Sequence, residues 1–175
     1  LAPEDALGEG FVMDRLPGLV NTPAMLKDPA FAPARATLAG DLARFRAGLD
    51  RIPAAALPPL RRQDARALVA DLQAVVDGFD VAHPGVELAF SWLADHPPPP
   101  APGLKLVHGD FRLQNFMVDR RGLTGVIDWE LAHLGDPMED LGWLCVKAWR
   151  FGQSPPVAGL GQYDELFAAY EAASG

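Results

Sequence analysis

The residues best suited to do chemistry lie in the run 106–119 and just beyond it. They are His108, Gly109, Asp110, Arg112 and Asn115, with a second carboxylate at Asp128 inside Ile127-Asp128-Trp129-Glu130. Leu104, Leu106 and Val107 read as a short apolar strand. Phe116, Met117 and Val118 read as a second, and residues 125–130 as a third that ends on a carboxylate. Turn-forming residues between 119 and 125 predict a hairpin joining the last two. Such a hairpin would gather Asp110, Asn115 and Asp128 at one end. Two acids and an amide oxygen suit a hard cation such as Mg²⁺, which is held by one or two carboxylates together with substrate phosphates.

The surrounding elements must hold that end in place. Residues 10–18 read as a short apolar strand running into the Pro17-Gly18 turn. Over 29–52, Phe31, Leu38, Leu42, Phe45, Leu49 and Ile52 fall on one helical face, with Asp28 as cap and Pro29 at the first position. Over 61–79 the same period carries Leu68, Leu72, Val75, Val76 and Phe79. A third helix is predicted over 84–95. Residues 97–100 are all proline and cannot be helical, so an extended connector into the Leu104 strand is expected. A buried helix is predicted over 137–150, capped by Asp136, and a last helix over 163–173. The order is strand, three helices, a β-hairpin core and two helices, a mostly helical α+β chain. Trp92, Trp143, Trp149 and Cys145 are core candidates. His83, His96 and His133 are expected at the surface or in loops.

At 175 residues the chain is long enough for one domain with a sizeable core. Its net charge of −8 argues against a nucleic-acid partner, because phosphate neutralisation needs a basic face. The same charge mildly suits a cationic substrate, or simply marks a solvated acidic surface. No apolar run is long enough to span a membrane. Cys145 is the only cysteine, so no disulfide framework exists, and a reducing cytoplasm is the expected compartment. The chain opens on Leu1 in a loop-like stretch, and is expected to be a piece of something longer.

The spacing His108-Gly109-Asp110 with Asn115, followed by Ile127-Asp128-Trp129-Glu130, resembles the aminoglycoside phosphotransferase family. That family is related to choline kinases and more distantly to protein kinases, whose catalytic loop keeps the same Asp-to-Asn spacing. The resemblance implies a protein kinase-like fold and a small-molecule kinase that uses ATP, or GTP, and Mg²⁺. Residues 1–20 would be the last small-lobe strand and the hinge, and 21–175 the helical lobe. Asp14 and Leu16 would offer hinge backbone groups to the adenine edge, with Met13 beside the base. A Gly-rich phosphate loop and its lysine are absent from this sequence, so the chain by itself is expected to be a poor kinase.

On that resemblance Asp110 is the candidate catalytic base, which orients the acceptor hydroxyl and takes its proton. Read without it, Asp110 is a loop-start aspartate in an Asx turn. Asn115 and Asp128 are candidate Mg²⁺ ligands that also bind the nucleotide, and Glu130 either assists them or accepts a hydrogen bond nearby. Arg112 would stabilise charge on the transferred phosphate; otherwise it is a surface arginine paired with an acid such as Asp119. His108 would hold the loop, and Asp140, in Gly135-Asp136-Pro137-Met138-Glu139-Asp140-Leu141, would anchor the loop backbone. Trp129 would cover the metal site or pack behind it. Two rivals stand beside this reading. One is a non-catalytic nucleotide-binding module. The other is a metal-dependent hydrolase built on His108 and Asp110, which lacks the two or three imidazoles a zinc site needs. The acceptor stays open among aminoglycosides, choline-like alcohols, sugars and hydroxyacyl thioesters.

Overall fold

The expected helix over 29–52 divides, and its caps explain where. The computed structural model describes residues 13–99, 101 and 103–175. Asn21 accepts the Ala24 N–H at 3.0 Å and starts a short helix, α1 (Thr22–Lys27), which the apolar period did not reveal. Asp28 then accepts the Ala30 N–H at 2.8 Å and opens a 3₁₀ turn, Pro29–Phe31. The long helix α2 (Ala32–Leu49) follows. Leu38, Leu42 and Leu49 of α2 are buried as the period requires, together with Ala34, Ala39, Ala43, Ala47 and an arginine, Arg46. The small alanines let another helix approach closely, and the last one, α6 (Tyr163–Ser174), packs along α2. A reciprocal cap between Gln162 and Glu165 starts α6.

Helix α3 (Ala65–Asp77) begins later than the expected 61, because Asp64 caps it through the Ala67 N–H at 2.9 Å. Its expected core face lies open: Leu72, Val75 and Phe79 are all at least half exposed. Helix α4 (Pro84–Asp95) has the expected bounds, but only Phe90 of it is buried. Trp92, expected in the core, is 57% exposed and stacks on His96. Pro97, Pro98 and Pro99 follow without regular structure.

Two small antiparallel sheets frame the chemistry. Strand β1 (Lys105–Val107) pairs with β4 (His133–Gly135), which the sequence reading did not anticipate. Strand β2 (Phe116–Val118) pairs with β3 (Leu123–Val126), with Phe116 opposite Val126. The strand expected over 125–130 therefore starts earlier and stops at Val126. Asp119 makes the turn, accepting the N–H groups of Arg121 at 2.7 Å and Gly122 at 3.2 Å. The helix expected over 137–150 is α5 (Met138–Leu144) and a separate 3₁₀ turn, Lys147–Arg150. Met138 and Trp143 on α5 are exposed rather than buried. Of the strand expected over 10–18, residues up to 12 lie outside the described residues, and 13–16 have no regular structure. Leu19 bridges Val118 by two backbone hydrogen bonds of 3.0 Å.

The main core gathers α2, α5, α6 and the hairpin through Leu38, Leu42, Phe111, Phe116, Leu144 and Leu166. Among the described residues no helix is long and apolar enough to cross a membrane. Leu42→Ala, in this core, should cost about 2–5 kcal/mol of stability by urea unfolding. Leu72→Ala, at an open position of α3, should change it by no more than about 0.5 kcal/mol. Equal losses would mean that the α3 face is covered.

Candidate active site

The loop between β1 and β2 turns at Gly109, which has φ +83°. A Cβ there would lie 2.7 Å from the Leu131 carbonyl oxygen, so no other residue fits without movement. Two consecutive amides at this turn, His108 and Gly109, donate to Asp140 at 3.0 and 3.1 Å. Asp140 is fully buried on α5. Burial pushes its carboxyl above the ordinary carboxylate value, against the pull of the two amides and of Arg46.

His108 has no ring nitrogen to spare. Its Nδ1 accepts the Asp110 N–H at 3.2 Å, and its Nε2 faces the Ile127 carbonyl at 2.9 Å. Those partners assign the proton to Nε2. The ring therefore ties the loop to the end of β3. Trp129 packs behind it, 4.6 Å from the imidazole centroid, and donates its indole N–H to the Val126 carbonyl at 3.0 Å.

Asp110 is the most heavily engaged carboxylate of the loop. Oδ2 accepts from Arg112 Nε at 2.7 Å and from Asn115 Nδ2 at 2.9 Å. Oδ1 accepts from the indole N–H of Trp143 at 2.8 Å. Burial raises the carboxyl, but the hydrogen bonds from Arg112, Trp143 and Asn115 and the guanidinium charge outweigh it, so the carboxyl sits below its ordinary value. Arg112 thus pairs with Asp110 and not with Asp119, and lies over the Trp149 ring at 4.6 Å. Trp143, expected in the core, is thus a partner of the site carboxylate. Its available signal was position: it stands three residues after Asp140 on the same helix, hence on the same face.

Asn115 is buried at the end of a 3₁₀ turn, Leu113–Asn115. Its side-chain amide also donates to the Asp110 backbone carbonyl at 2.9 Å, and its backbone carbonyl accepts the Ile127 N–H at 2.9 Å. That bond holds Ile127, the residue before Asp128, against Asn115 at the open end of the hairpin. Asp128 is exposed and left-handed, with φ 69° and ψ 58°. Among the described residues neither Asn115 Oδ1 nor the Asp128 carboxylate has a hydrogen-bond partner within the chain. Glu130 is exposed in the 3₁₀ turn Trp129–Leu131. Met13 and Asp14 are exposed, and Leu16 lies against Gly125 of β3. Among the described residues no three His, Cys, Asp or Glu side chains converge as a metal site.

His133 corrects an expectation. It is buried in β4, with Nδ1 facing the Leu131 carbonyl at 3.0 Å and Nε2 facing Glu139 at 3.1 Å. His83 and His96 are exposed, as expected.

The chain matches the model described as "Phosphotransferase enzyme family" (APH) over residues 2–175. Acyl-CoA dehydrogenase family member 10 of Mus musculus is 36% identical over 83 residues, which is 46% of this chain and 8% of that protein. A candidate aminoglycoside phosphotransferase from Ralstonia eutropha JMP134 superposes with a TM-score of 0.69 and 25% identity, over 94% of this chain and 54% of that one. The GDP complex of wild-type aminoglycoside 2'-phosphotransferase-IIIa superposes with a TM-score of 0.64 and 21% identity, over 90% of this chain and 53% of that one. This chain thus has the kinase-like α+β fold and spans about half the length of these two structures.

The His133–Glu139 pair makes stability depend on pH. The Glu139 carboxylate lifts the His133 pKa, burial opposes it, and the Leu131 carbonyl adds to the lift. A raised folded pKa gives stability that is complete below the unfolded value of about 6.5 and is lost as pH rises through the folded value. Urea unfolding from pH 5.5 to 9 should show that loss, and Glu139→Gln should flatten it. An unchanged slope in Glu139→Gln would show that the imidazolium is not paired there.

Proposed function

The chain belongs to the phosphotransferase enzyme family, and from that membership and the loop geometry we propose that it is the large-lobe part of a small-molecule kinase. The reaction is transfer of the γ-phosphate of ATP or GTP to a hydroxyl of a small molecule. The observation that carries the reading is the setting of Asp110: a carboxylate held below its ordinary pKa and fixed by three donors, with Asn115 also tied through its backbone carbonyl to Ile127, the residue before Asp128.

In this reading the acceptor hydroxyl docks on Asp110 Oδ1. That oxygen has one hydrogen bond, from Trp143, whereas Oδ2 has two, so Oδ1 keeps a lone pair for the incoming proton. Phosphoryl transfer depends mainly on positioning and charge, and a carboxylate held in one orientation supplies the first. Arg112 supplies the second. Its Nε is committed to Asp110, its Nη1 donates to Gln114 Oε1 at 2.7 Å and its plane lies on Trp149, which leaves Nη2 to face the equatorial oxygens of the transferred group.

The donor set suits Mg²⁺. Asn115 Oδ1 and the Asp128 carboxylate are hard oxygens without hydrogen bonds among the described residues, on adjoining strand ends. They would hold the cation, which when bound neutralises the nucleotide phosphates. Residues 1–20 are proposed as the last small-lobe strand and hinge, and 21–175 as the helical lobe, with Met13, Asp14 and Leu16 beside the base. The GDP complex of a fold relative supports a nucleotide here and keeps GTP beside ATP. The acceptor panel pairs aminoglycosides, after the fold relatives, with hydroxyacyl thioesters, after the acyl-CoA dehydrogenase family relative.

Nucleotide consumption by the intact protein against that panel, with choline-like alcohols and sugars added, tests the reading. Asp110→Asn should lower turnover by about 10²–10⁴-fold and leave nucleotide affinity nearly unchanged. Normal turnover in that variant rejects the assignment. Nucleotide binding without consumption by the wild type favours a non-catalytic module.

A further inference from the structure

Arg46 is the most deeply buried charge of α2, at 0% exposure, yet no step of the proposed reaction uses it. A buried ion pair is weak support for stability, since well-packed apolar side chains often serve as well or better. Arg46 moreover leaves one donor, Nη1, buried without a partner among the described residues, which costs stability rather than adding it. Its other contacts suggest a different task. Nε lies 3.3 Å from Asp140 Oδ2 and 3.5 Å from the Pro137 carbonyl, and Nη2 lies 2.9 Å from Asp50 Oδ1. Asp140 is the carboxylate that grips the amides of His108 and Gly109, and Asp110 is the next residue. Two amide donors and a nearby guanidinium charge converge on its two oxygens, a setting that favours the ionised form of a carboxylate. In a fully buried position that form needs a counter-charge.

We propose that Arg46 is a positioning residue for the catalytic loop, acting through Asp140, and that Asp50 and Tyr170 carry the same chain of contacts to the last helix. This rests on the kinase reading above for its effect on turnover, but not for its effect on the loop. Asp50 Oδ2 accepts the Tyr170 hydroxyl at 2.6 Å. The Asp50 carbonyl accepts Lys105 Nζ at 3.0 Å, and Lys105 opens β1, the strand that leads into His108. Arg46 and His108 face Asp140 directly, and Asp50 at the end of α2, Lys105 of β1 and Tyr170 of α6 join them through Arg46 and Asp50. Through them α2, β1 and α6 bear jointly on one turn of backbone.

The test uses the intact protein with Arg46→Lys, Asp140→Asn, the double variant and Tyr170→Phe. Two readouts are taken: steady-state kinetics with the acceptor found by the panel, and amide hydrogen exchange of the peptide covering residues 105–112. Arg46→Lys keeps the charge and removes the fork. It should lower kcat about tenfold with nucleotide KM within about twofold, and should speed loop exchange about tenfold more than exchange in α3. The double variant should be no worse than Asp140→Asn alone, because Arg46 acts through Asp140. Tyr170→Phe should shift both readouts in the same direction by about twofold, and decides the matter if Arg46→Lys does not fold. A lower Tm with unchanged kcat and unchanged loop exchange overturns the proposal, as do additive losses in the double variant. If the wild type transfers phosphate to no acceptor, the kinase reading fails, and loop exchange alone still decides the role of Arg46.

Discussion

One buried carboxylate holding two successive backbone amides is the contact on which the rest of the site depends. Asp140 reaches across from α5 to the turn after β1 and fixes His108 and Gly109. Everything downstream inherits that placement. His108, once fixed, locks the Asp110 amide on one side of its ring and the end of β3 on the other. Gly109 passes through a left-handed turn close to Leu131, where no side chain fits. Asp110 then leaves the turn in the one direction that lets Arg112, Asn115 and Trp143 converge on its carboxylate.

The two carboxylates of the loop region have opposite environments. Asp140 is enclosed, and burial lifts its carboxyl above the ordinary value against the pull of two amides and the Arg46 guanidinium. Asp110 is at the edge, and its ionisation is favoured by three donors. The first suits a structural anchor, whose charge never needs to change. The second suits a group that must stay deprotonated until an acceptor hydroxyl arrives. A similar division separates Asn115, whose amide N–H₂ is occupied by Asp110, from Asp128, whose carboxylate has no hydrogen bond among the described residues.

Local signals were legible in the sequence, and distant ones were not. Helices α4 and α6 were legible as apolar-rich runs bounded by proline and glycine, and the hairpin follows from two apolar runs around polar turn residues. Asn21 was an equally good cap for α1, but a six-residue helix has too few turns to show a period. Strand β4 pairs with β1 across 28 or so residues, and nothing local in Ala132-His133-Leu134 announces that. Trp143 and Arg46 were hidden for the same reason: their partners lie on other elements. Helix α3 shows the opposite failure. Its apolar stripe was read correctly, but a stripe does not say what covers it.

The backbone at Asp128 carries a consequence for mutagenesis at this position. Its left-handed conformation is one that aspartate, asparagine and glycine tolerate and β-branched or bulky residues resist. Exchange for asparagine removes charge while keeping the bend. Exchange for valine or leucine would also strain the bend, so its phenotype would mix two causes. Only the amide isostere separates what the oxygen atoms do from what the chain direction does.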